Sequence, residues 1–132
     1  MTPVPCSAVG IVKWLPVVLC IGCVAPRPTD EYFAEYDAAN QLERENHPLR
    51  AAAAYGRTAD VASRPRTRFF ALYRQARQLE VAGERTQARA LYLRIAEEDP
   101  QGEMASRCLY YAGRMSFEDG DIDEGLVQMR RV

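Results

Sequence analysis

The side chains able to do chemistry are few, and their spacing says more than their number. A single histidine, His47, stands beside Pro48 with no cysteine or carboxylate cluster around it, so it makes no metal site. Cys20-Ile21-Gly22-Cys23 is formally a C-x-x-C pair. A redox or metal pair must be displayed at a folded helix start, and this one sits in an apolar leader. The run Asp119-Gly120-Asp121-Ile122-Asp123 hints at calcium but lacks the full ligand spacing of a calcium loop. No glycine-rich phosphate loop and no nucleophile elbow occur. The residues thus imply no catalysis, no cofactor and no metal. What does recur is tyrosine and arginine. Tyr36, Tyr73 and Tyr110 are spaced by 37 residues, and Arg77 and Arg114 follow the last two by four. Tyrosine can stack on a bound segment and arginine can hold a carboxylate. The chemistry on offer is recognition.

The elements that would position these residues repeat with the same period. Units starting at Tyr32, Phe69 and Ser106 align column by column. The eighth position is Ala39, Ala76 and Gly113, and the twentieth is Ala51, Ala88 and Gly125, small each time. The fifteenth is Asn46, Gly83 and Gly120, a turn former each time, and the twenty-fourth is Tyr55, Tyr92 and Met129, always large. A fixed period of this size means stacked like units rather than one central core. Each unit carries two helix-favouring stretches around the turn former. In the second unit the pattern predicts one helix over 69–82, with Leu72, Ala76 and Leu79 on one stripe, and another over 86–99. Gly83 can end a helix in the left-handed conformation and Pro100 cannot continue one. Small residues belong where two helices cross closely, and the large residue fills the space beside the crossing.

The second unit resembles a tetratricopeptide repeat (TPR), through Leu72, Ala76, Leu79, Gly83, Ala88, Tyr92 and Pro100. The third matches with Leu109, Gly113, Gly120, Gly125 and Met129. The first departs from the pattern, with Asn46 for glycine, Ser63 for proline and Glu35 at a usually apolar position. The resemblance covers Tyr32 to Val132 and implies an all-α helical-hairpin solenoid, a right-handed superhelix of about three repeats (32–68, 69–105 and an incomplete 106–132). It also implies a protein-binding groove lined by the first helix of each unit. Carried over, the groove holds Phe33, Tyr36, Asn40, Glu43 and Arg44 in the first unit. The second contributes Phe70, Tyr73, Arg77, Glu80 and Val81, and the third Arg107, Tyr110, Arg114, Phe117 and Glu118. The basic clamp that chaperone-linked members use for C-terminal carboxylates is not reproduced, because tyrosine occupies its fifth-position place. The tyrosines either face this groove or pack between adjacent units.

The front of the chain bears on location. Lys13, the only lysine, precedes the apolar run Trp14 to Ile21, then Gly22 and Cys23. About twenty apolar residues are needed to span a bilayer, and this run is too short, so it reads as a signal-peptide core. Gly22-Cys23 resembles a bacterial lipobox, which makes residues 1–23 a lipoprotein leader and Cys23 the lipidated residue. Cys20 stands where leucine is usual, and no charge precedes Lys13. Either Met1 or Val12 is the start. Val24 is not the aspartate associated with inner-membrane retention, which favours the outer membrane. Residues 24–31, with Pro26-Arg27-Pro28, form a tether.

Formal net charge is −1 for 132 residues, which argues against a nucleic-acid partner. The charge is unevenly spread: arginine dominates from Arg44 to Arg94 and acid from Glu97 to Glu124. This asymmetry suggests a charged partner, head-to-tail self-association, or simply a solvated exterior. Arg64 to Arg68 reads as a solvated connector. Cys108 reads as a small packing residue, or as an intermolecular disulfide site. Val132 falls inside the last expected helix, which suggests a fragment or a stack completed by a partner. Two functions follow. One is a non-enzymatic, lipid-anchored adaptor on the periplasmic side of the bacterial envelope, binding an envelope protein or peptide segment. The other is the helical front part of a larger envelope enzyme, such as a lytic transglycosylase.

Overall fold

The computed structural model describes residues 28–132; the leader, the lipobox and Cys23 lie outside the described residues. Those residues form six helices: α1 (Asp30–Arg44), α2 (Pro48–Asp60), α3 (Pro65–Val81), α4 (Arg85–Glu98), α5 (Ala105–Glu118) and α6 (Ile122–Met129). The described part is all-α. Each helix packs against the next one in the chain, from α1 on α2 to α5 on α6. No helix among the described residues is long and apolar enough to cross a membrane.

Local chemistry sets the helix starts. Thr29 caps α1 by accepting from the Tyr32 amide at 3.2 Å, and Asp30 and Glu31 sit at the positive end of the dipole. α1 therefore begins two residues inside the expected tether. Pro48 and Pro65 open α2 and α3, where a fixed φ suits the first helical turn and the missing N–H costs nothing. That corrects the expectation for Arg64 to Arg68. The run is not a loose connector: Arg64 is the cap of α3 and Pro65 to Arg68 form its first turn. Asp121 caps α6 by accepting from the Glu124 amide at 3.3 Å. α6 ends at Met129 rather than running on to Val132, because the last amides turn back onto carbonyls three residues earlier.

The fifteenth-position column is a backbone constraint repeated three times. Asn46, Gly83 and Gly120 have φ of 59°, 85° and 85°. Each donates its amide to the carbonyl three residues back, at Glu43, Glu80 and Phe117. The following residue, His47, Glu84 or Asp121, donates to the carbonyl five back, at 2.9 Å each time. This paired pattern satisfies the carbonyls left over at a helix end, and it needs a left-handed residue. The small columns are equally consistent: Ala39, Ala76, Gly113, Ala51, Ala88 and Gly125 are all buried. The third unit has glycine where the others have alanine for a steric reason. A Cβ on Gly113 would lie 3.0 Å from the end of Met129, and one on Gly125 would lie 2.9 Å from the Phe117 ring.

Gly83→Ala, which forces a Cβ into the left-handed region, should cost about 1–2 kcal/mol in urea unfolding. Asn46→Gly, which relieves the same strain in the first unit, should cost nothing or stabilise.

Candidate functional site

Two arginine–carboxylate–tyrosine nodes tie the units together. Tyr55 on α2 is fully buried; its hydroxyl donates to Glu43 Oε2 at 2.6 Å and lies 2.7 Å from Asn40 Oδ1, both on α1. Arg74 on α3 closes the node, reaching Glu43 at 2.6 Å and the Tyr55 hydroxyl at 2.8 Å. Thirty-seven residues on, the Tyr92 hydroxyl on α4 donates to Glu80 Oε2 on α3 at 3.2 Å. Arg77 binds the same oxygen at 2.7 Å, and Arg114 on α5 pairs with the other Glu80 oxygen. Burial first, and the adjacent carboxylate second, push the Tyr92 phenol far above its ordinary range. Tyr55 shifts the same way for burial and its bond to Glu43. The phenols therefore stay protonated and donate. The third unit has no such node, because Phe117 and Met129 occupy the positions held by glutamate and tyrosine in the first two.

Aromatic rings line the helices in two clusters. Phe33 meets Tyr32 edge-on at 5.6 Å, Tyr32 stacks on Tyr36 at 6.0 Å, and Tyr36 reaches Phe70 at 6.2 Å. Further along, Tyr73, Tyr92 and Tyr111 are mutually within 6.1 Å, and Tyr110 meets Tyr111 edge-on. Arginines stand on the rings: Arg77 and Arg114 over Tyr111 and Arg107 over Tyr73, at 4.8, 5.0 and 5.6 Å.

The groove residues expected from the sequence are therefore not equivalent. Phe33 and Tyr110 are exposed, at 52% and 49%. Tyr36 and Phe70 are half-buried within the first ring cluster, and Asn40 is held by Tyr55 and Arg74. Tyr73 is packed between units at 9% exposure, so in the second unit the tyrosine belongs to the core. Arg77 and Arg114 both turn onto Glu80, an internal carboxylate. Arg107 is exposed, and no carboxylate among the described residues lies within ion-pair distance of it.

An open cleft that the spacing did not reveal lies at the starts of these helices. It has a volume of about 660 Å³, and Tyr32, Phe69, Phe70, Met104 and Pro65 line its apolar part. Arg66 and Glu103, paired at 2.7 Å, stand on its rim. The one available signal was the aromatic doublet Tyr32-Phe33 and Phe69-Phe70 at the head of two units.

Cys108 is fully buried, and burial pushes its thiol up to about 12 against the opposing effect of Arg107, so it is a packing residue. Among the described residues no cluster of three metal-ligating side chains occurs. Much of the uneven charge is met inside the chain. Arg66 pairs with Glu103, Arg68 with Glu98, and Arg85 with both Glu118 and Asp119. No family model matches this chain, and no curated protein matches it.

Tyr73→Ala should lower stability by about 3–5 kcal/mol, as for a buried aromatic. Tyr110→Ala should change it by less than about 0.5 kcal/mol. Thermal unfolding of the two variants side by side checks the assignment.

Proposed function

We propose that this protein is a membrane-anchored adaptor whose three helical hairpins form a TPR-like solenoid and bind a segment of another protein. The observation that carries the reading is the pair of aromatic clusters with their exposed members, Phe33 and Tyr110, and exposed Arg107 beside them. Exposed tyrosine, phenylalanine and arginine on a rigid helical face are the residue types that dominate interface energies. The repeated turn and crossing columns support stacked hairpins, because each is the same local solution to the same packing problem. The leader supports the anchor: the short apolar run ending in Gly22-Cys23 fits lipidation of Cys23 better than membrane spanning. Two proline residues after it would hold the helices off a bilayer surface. On this reading the protein sits on the periplasmic side of a bacterial envelope, at the outer membrane, and performs no catalysis.

Labelled palmitate should enter the wild-type chain and co-fractionate with membranes, and Cys23→Ala should abolish both. A wild-type chain that stays unlabelled and soluble would remove the anchor from the account.

A further inference from the structure

We propose that the cleft at Phe69 and Met104, together with Arg107, reads a short motif in an extended partner segment. The motif is a large apolar side chain with a carboxylate two residues away. The inference rests on the adaptor reading, since its ligand is a protein segment, and it names what that segment must carry.

The cleft supplies the apolar half. Tyr32, Phe69 and Met104 form its buried floor, and half-buried Phe70 forms a wall. Its volume, about 660 Å³, falls within the roughly 300–1,000 Å³ of sites that enclose small ligands. A large side chain with its flanking backbone fits such a space, and the ring faces reward apolar contact.

Arg107 supplies the polar half by charge complementarity. Three neighbouring arginines are already matched by carboxylates of the chain: Arg74 by Glu43, and Arg77 and Arg114 by Glu80. Arg66 on the rim is matched by Glu103. Arg107 has no such match among the described residues. It is exposed and held over the Tyr73 ring, with its guanidinium available to an incoming acid. It also stands in the first turn of α5, which contains no acidic side chain and has no side-chain cap. The positive end of that helix favours an anion at the same place.

The spacing follows from helix geometry. Phe70 and Met104 border the cleft, while Tyr73 and Arg107 lie three residues further along α3 and α5. Three helical residues rise about 4.5 Å. An extended chain advances about 3.3 Å per residue and alternates its side chains, so positions two apart, about 6.6 Å, share a face. The helical offset falls between one and two residues of such a chain, and only the second shares the anchor's face, so the geometry selects the side chain two residues away for Arg107. The nearest alternative, one residue away, points to the other side of the strand.

The test is selection of a random dodecapeptide library displayed on phage against the full chain in detergent, followed by titration of the resynthesised peptides. Enriched peptides should carry a large apolar residue two positions from aspartate or glutamate. Arg107→Glu should weaken them at least tenfold with an unchanged melting temperature. Replacing the peptide's acid by lysine should restore binding to Arg107→Glu. Phe70→Ala should weaken the same peptides, independently of their charge. Enriched peptides of another pattern, or binding indifferent to Arg107→Glu, overturn the motif while leaving the adaptor reading intact. A library that yields no binder overturns both the motif and the peptide-binding part of that reading.

Discussion

The arrangement of this chain depends on two carboxylates, Glu43 and Glu80, placed where a helix of one unit faces a helix of the next. A partly buried carboxylate is costly unless it is paired and hydrogen-bonded. Each of these gains a phenol from its own unit and a guanidinium from the following one. Only the native stack brings all three groups together, so the node penalises any slip between units. Charge-assisted bonds of this kind are worth about 1.5–3 kcal/mol each when solvent is excluded, and less at partly exposed arginines. The third unit replaces the node with Phe117 and Met129, which pack where glycine at the crossing leaves them room. Polar ties join units one to two and two to three, and apolar packing closes the last hairpin.

The nodes also determine what the surface can offer. By occupying Arg74, Arg77 and Arg114, they take three cations out of play, while Arg107, beside the Tyr73 ring, stays unmatched by acid among the described residues. The rings that support the arginines belong to the two clusters whose exposed members remain for a partner. Structural and recognition roles thus divide the same residue types. Tyr55, Tyr73 and Tyr92 are core, while Phe33 and Tyr110 are surface.

The features most legible in the sequence were those set by the backbone. A left-handed residue and two small crossings recur every 37 residues because each hairpin needs them, and no neighbour can substitute. The nodes were half legible. Glu43 and Glu80 share a column, as do Tyr55 and Tyr92, but the arginines come from different columns, Arg74 from one and Arg114 from another. A search by period finds the first pairs and misses the third member. The charge asymmetry left a charged partner open in the sequence, yet the chain pairs much of it with its own carboxylates at the surface, through Arg66, Arg68 and Arg85. The cleft was not legible because it is built from the ends of three segments, the start of α1, the start of α3 and the loop before α5.

The Glu80 carboxylate couples the second unit to the third. A double-mutant cycle of Glu80→Ala and Arg114→Ala, read by urea unfolding, measures that coupling directly. The shared carboxylate should give an interaction energy of about 1–2 kcal/mol, well above the additivity expected of independent sites. A value below about 0.5 kcal/mol would overturn that coupling and leave the join to apolar packing and the Arg85 ion pairs.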